Sequence, residues 1–132
     1  MLLDYMIEYA EAIVHLFDKY NIYDQAFIET QSDMFAGQML LSSAGVTNGE
    51  IKQFIYPQSF EEGLNHAATF NMHGITIANK NISKEQVELA HTLGYWVTIW
   101  DVEKNSEIRE AVRKNPDMIQ TDDVPYLVKI LE

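Results

Sequence analysis

Apolar residues at Leu3, Met6, Ile7, Ala10, Ile13, Val14 and Phe17 recur at spacings of three and four, with acids and Lys19 on the other face. That period predicts an amphipathic helix over 2–20, ended at Asn21. A short apolar run, Ala26-Phe27-Ile28, reads as a buried strand, followed by a helix over 33–41 and a loop over 45–49. Phe54-Ile55-Tyr56 reads as the next strand, stopped by Pro57. Ser59 with Glu62 three residues on has capping-box spacing and opens a helix to about Asn71. The run 74–78 is a further strand. Ser83 and Gln86 form a second capping box for a helix ending at Leu93, where Gly94 fits the left-handed end. The clearest strand is 95–102. A helix over 106–114, a strand over 118–120 and a terminal helix over 124–131 complete the chain.

Strands separated by helices of about ten residues predict parallel βα units with right-handed crossovers. In such folds ligands bind at the carboxyl ends of the strands. Three strand-end residues therefore become candidates: Glu29, Trp100 and Asp122. Trp96 and Trp100 share strand parity, so an undistorted strand aims both at one face. Trp100 is expected at the same end of the sheet as Glu29 and Asp122. Placing Trp96 on the outer, helix-facing side requires a bulge between Val97 and Ile99.

Composition narrows the partners more than it does the fold. A hydrophobic fraction of 47% with 11% aromatics supports a real core and one domain over 132 residues. A net charge of −11, with nine basic residues scattered among twenty acids, offers no surface for nucleic acid. The same field repels anionic substrates, which a cation would have to help bind. No apolar run is long enough to span a bilayer, and the amino terminus lacks the layout of a secretory signal. Without cysteine the chain forms no disulfide or thiolate metal site, and compartment stays open between cytoplasm and periplasm.

The stretch 83–125 carries a more specific signal: Ala90-His91, Gly94, Trp100-Asp101-Val102-Glu103, then Thr121-Asp122 with Pro125 shortly after. It resembles the carboxyl-terminal part of the glycerophosphodiester phosphodiesterase domain, a metal-dependent (β/α)8 barrel. In that family Ala-His and Gly lead into a strand closed by Trp-Thr-Val-Asn, and a later strand closes on Thr-Asp followed by Pro. Asp101 and Glu103 depart from the family's Thr and Asn, and Asp123-Val124 lengthens the turn before Pro125. Upstream, the strand that ends in Ser-Phe in the family ends here in Glu29-Thr30-Gln31. A full barrel takes about 250 residues, so this chain is expected to form one partial α/β domain over 1–132, the carboxyl-terminal portion of the barrel.

The resemblance implies a phosphoric diester hydrolase whose catalytic half is elsewhere. The family's His-Arg-Gly, its metal-binding Glu and Asp and its second His have no counterpart here. For the complete enzyme it implies a divalent metal, Ca or Mg, and a glycerophosphodiester substrate cleaved to an alcohol and glycerol phosphate. This chain is expected to supply no catalytic residue and no metal ligand, and to be inactive by itself. Trp100 would form an apolar wall for the glycerol moiety, or else a rim aromatic. Asp122 would accept from a ligand hydroxyl, or cap the following helix. Glu29 would meet a hard cation or ligand, or remain a solvated acid. His15, His66, His73 and His91 fall on helices or at a strand's amino end, and no two converge for acid–base work. The alternative is a non-catalytic half-barrel that binds a small polyol or phosphate ligand or a partner chain. Either way, open edges with no Lys or Pro inside Phe27-Ile28 and Met118-Ile119 favour self-association.

Overall fold

A computed structural model describes residues 2–46 and 48–132; Thr47, within the expected 45–49 loop, lies outside the described residues. Helix and strand alternate throughout: α1 (Leu2–Tyr20), β1 (Phe27–Thr30), α2 (Asp33–Ser42), β2 (Lys52–Ile55), α3 (Phe60–Thr69), β3 (Gly74–Ala78), α4 (Lys84–Thr92), β4 (Trp96–Trp100), α5 (Asn105–Lys114), β5 (Met118–Ile119) and α6 (Val124–Leu131). A single 3-10 turn at Asn79–Asn81 links β3 to α4. All strand pairs are parallel, and the order in space is β1-β2-β3-β4-β5, the order of the sequence. This is an arc of a (β/α)8 barrel.

Local chemistry accounts for the boundaries. Ser59 Oγ accepts from Glu62 N at 3.2 Å, but the Glu62 carboxylate turns to Gln58 N at 3.3 Å, so the expected reciprocal box is shifted by one residue. At α4 the box is complete: Ser83 Oγ accepts from Gln86 N, and Gln86 Oε1 from Ser83 N. Gly94 follows with φ +88°, a left-handed conformation open to a residue without Cβ. Asn21 leaves α1 with φ 49°. The second strand begins two residues earlier than its apolar run suggests, because Lys52 and Gln53 pair with Phe27 and Ile28. Tyr56 falls just beyond it.

The main core lies between the sheet's outer face and the helices. Ile55, Ile75, Ile77, Val97 and Ile99 pack against Ala67, Val87, Ala90, Ile108 and Ala111, all but fully buried. A second cluster, Ala10, Phe17, Tyr23, Met39 and Ile51, fastens α1 and α2 below β1. Lys114 is a buried cation whose Nζ donates to Asn79 O at 2.7 Å and Asn79 Oδ1 at 2.8 Å, tying α5 to the end of β3.

The sheet's curvature can be read from one hydrogen bond. In a flat sheet β1 and β5 would lie four strand spacings apart, roughly 19 Å. Yet Gln120 Nε2, directly after β5, donates to Glu29 Oε1 on β1 at 2.8 Å. Only a strongly curled sheet lets those side chains meet. In a closed ring of eight, strands four steps apart are diametrically opposite, and its interior is just wide enough to be filled by side chains.

Candidate functional site

The face that Glu29 shares is the concave one, and strand register identifies its other members. Glu29 pairs with Phe54, Phe54 with Gly74, and Gly74 with Trp96, while Thr76 pairs with Thr98 and Ala78 with Trp100. Pairing from Gly74↔Trp96 to Ala78↔Trp100 is continuous, with no bulge. Both tryptophans therefore point to the concave face. The expectation that Trp96 turns outward is overturned: its ring meets Phe54 edge-on at 6.4 Å and is 47% exposed. Unbroken parity decided this over the preference for burying an indole.

Glu29 is exposed yet engaged. Its Oε1 accepts from Thr76 Oγ1 at 2.9 Å and from Gln120 Nε2 at 2.8 Å, which joins β1, β3 and the end of β5. Barrel interiors fill in layers of four side chains drawn from alternate strands. Glu29, Thr76 and Gln120 are three corners of one such layer. Toward the carboxyl end comes an aromatic pair, Tyr56 and Trp100, with ring centres 5.0 Å apart and planes at 32°. Burial first, then the charges of Glu29 and Asp101, raise the Tyr56 phenol above its usual range around 10. Tyr56 was not singled out from sequence, since Pro57 drew attention to where the strand stops and not to what stands at its end.

Trp100 opens a groove of about 450 Å³ whose other walls are Asp101, Val102, Glu103, Ile119, Gln120, Thr121 and Asp122. Asp101 takes φ 61°, a left-handed conformation that Asp tolerates better than most residues, and its carboxylate lies 3.9 Å from Lys80 Nζ. Asp122 stands exposed in this groove. It does not cap the terminal helix, contrary to the capping expectation. That role falls to Asp123, whose Oδ1 accepts from Tyr126 N at 3.1 Å. The lengthened turn explains the change: Thr121 Oγ1 donates to Val102 O and accepts from Asp123 N, which seats Asp123 before Val124-Pro125 and leaves Asp122 facing out. Trp100 and Asp122 thus line one groove, and Glu29, outside its lining, bonds to the groove residue Gln120.

The histidines stay apart. His91 Nε2 meets Asp117 Oδ2 at 2.9 Å, and the same oxygen accepts from Val97 N at 2.7 Å, a structural latch below β4. His66 pairs with Asp33 at 3.3 Å and His73 with Glu50 at 3.2 Å. A cleft of about 470 Å³ between α1 and α2 holds His15 with Glu11 and Asp18, but it opens away from the strands' carboxyl ends. Although somewhat larger than the Trp100 groove, it lacks that groove's convergence of strand ends. Among the described residues no three His, Asp or Glu side chains come together as a metal-ligand set.

An open five-stranded parallel arc, with its polar and aromatic residues gathered at the carboxyl mouth, defines a partial (β/α)8 barrel. The fold matches glycerophosphodiester phosphodiesterase structures. The enzyme of that name from Parabacteroides distasonis superposes with a TM-score of 0.78 at 14% identity, over 98% of this chain and 52% of that one. An Oleispira antarctica phosphodiesterase, solved in complex with the product sn-glycerol-3-phosphate, matches with a TM-score of 0.59 at 15% identity, over 71% of this chain and 38% of that one. The chain spans about half the length or less of these proteins. No protein-family model and no curated protein matches the sequence.

Proposed function

We propose that this chain is the carboxyl-terminal half of a glycerophosphodiester phosphodiesterase barrel, contributing substrate walls to a site whose catalytic groups lie in the other half. The observation that supports this reading is the groove shared by Trp100 and Asp122, with Glu29 bonded to its wall residue Gln120, in an arc with that fold. Trp100, backed by Tyr56, supplies an apolar wall for the carbon face of a glycerol moiety. Asp122 and Glu29 would accept from its hydroxyls, because hydrogen bonds to an ionised carboxylate are stronger than those to a neutral acceptor. Neither acid suits the phosphate itself, which a carboxylate repels. In the complete enzyme a divalent cation, Ca or Mg, would supply the charge that polarises the phosphate. In this reading the ligands of that cation lie in the other half, and the isolated chain is a substrate wall without a catalyst.

The test is hydrolysis of glycerophosphocholine by the purified chain across a panel of divalent cations, together with Trp100 fluorescence during titration with sn-glycerol-3-phosphate. Background hydrolysis with saturable quenching that Trp100→Leu removes supports the proposal. Metal-dependent turnover abolished by Glu29→Gln or Asp122→Asn would overturn the inactive-half reading, and absence of any quenching would overturn the substrate-wall assignment.

A further inference from the structure

At the amino end of the sheet two polar side chains stand in line with apolar ones. Phe54 pairs with Gly74 and Ile55 with Ile75, which sets Gln53 beside His73, and His73 N donates to Gln53 O at 2.8 Å. Ile55 and Ile75 belong to the main core, so by strand parity Gln53 and His73 face the same helix-side layer. The reach of Gln53 Nε2 to Ala36 O on α2, at 3.4 Å, agrees with that direction. Gln53 is only 5% exposed.

Burying a polar atom is unfavourable unless a hydrogen bond meets it. Yet Gln53 Oε1 and His73 Nδ1 are both buried with no partner among the described residues. The chemistry of the unmet pair follows from Glu50. His73 Nε2 lies 3.2 Å from Glu50 Oε1, and a carboxylate accepts, so Nε2 carries the proton. In the neutral ring Nδ1 is then an acceptor, beside the second acceptor Gln53 Oε1. Two adjacent acceptors are satisfied together by a group that carries more than one N–H or O–H.

Both residues line a cavity of about 370 Å³ between the end of α2 and the starts of β2 and β3. Its size falls in the range of small-ligand pockets. Leu40, Val46 and Ile51 give it apolar walls, and the largely exposed Glu50 adds a negative charge. The net charge of −11 attracts cations in the same sense.

We infer that this cavity is a second ligand site, one that takes a small organic cation of the amidinium or guanidinium class on an apolar body. Gln53 Oε1 and His73 Nδ1 accept from its N–H groups, Glu50 offsets its charge, and the leucine, valine and isoleucine side chains cover its carbon skeleton. The site sits at the opposite end of the strands from the Trp100 groove, so it goes beyond the proposed function and does not rest on it.

The experiment titrates the purified chain with benzamidine and with n-butylguanidine, followed by calorimetry and by nitrogen–proton NMR of the histidine rings and glutamine amides. Saturable binding of at least one probe is expected, with the His73 and Gln53 side-chain signals moving together. Gln53→Leu continues the apolar line of Ile55 and should fold; it should weaken binding about tenfold or more, as should His73→Leu. Glu88→Gln, which removes one exposed charge on α4, should leave affinity unchanged. Benzamide, with the same ring and no charge, should bind about tenfold more weakly than benzamidine. Absence of saturable binding by both probes, the outcome for two atoms served by water alone, overturns the inference. So does binding that leaves the His73 and Gln53 signals unmoved, that survives Gln53→Leu in full, or that benzamide matches. The spectra of the unaltered chain decide the matter even where a variant does not fold.

Discussion

Replacing Glu29 by alanine tests the geometry on which the proposed function depends. The substitution removes the acceptor of two hydrogen bonds, from Thr76 Oγ1 at 2.9 Å and Gln120 Nε2 at 2.8 Å. Bonds to a charged group contribute about 1.5–3 kcal/mol each, and at an exposed residue solvent competition puts them at or below the low end. Glu29→Ala should therefore cost about 2 kcal/mol in all. Part of that belongs to the contact across the barrel, which a double-mutant cycle with Gln120→Ala isolates at about 1 kcal/mol. Urea unfolding followed by tryptophan fluorescence is the assay, because Trp96 and Trp100 both lie on the concave face that Glu29 spans. With a slope of about 2 kcal/mol/M the single mutant's midpoint should fall by about 1 M. A coupling energy indistinguishable from zero, with both single mutants folded, would refute the contact. The sheet would then be flatter than the bond between Glu29 and Gln120 implies.

Gly74→Ala should destabilise by about 3 kcal/mol or more in the same assay: a Cβ there would clash with Phe54 Cε1 and the backbone Trp96 O, and a strand carbonyl cannot rotate aside. Lys114→Ala strands two buried acceptors on Asn79 and should cost about 2–4 kcal/mol, whereas Lys84→Ala on the surface should change little. The Tyr56 phenol is raised in the folded state, so above the ordinary tyrosine range near 10 the unfolded chain sheds that proton first and stability falls as pH rises. Ultraviolet titration of wild type against Tyr56→Phe should show this phenol among the last to ionise, and Glu29→Gln should bring it down. A Tyr56 that titrates with the exposed tyrosines in both backgrounds would contradict the placement of Glu29 beside it.

Sequence by itself determined the alternation of elements and most of their limits, because these depend on local causes. The period of apolar residues set α1, the Ser83-Gln86 box and Gly94 bracketed α4, and parallel pairing followed from strands spaced by helices. It also brought Glu29, Trp100 and Asp122 to one end, since in a parallel sheet every strand's carboxyl end lies on the same side. Tertiary structure decided what those side chains touch. Trp96 joined the concave face because continuous register with β3 left no room for a bulge, and Asp123 displaced Asp122 as a cap because Thr121 bonded back to Val102. The meeting of Glu29 with Gln120 spans ninety-one residues of chain and depends on how far the sheet curls. Curl is the sum of small twists between successive strands, and no single residue carries it.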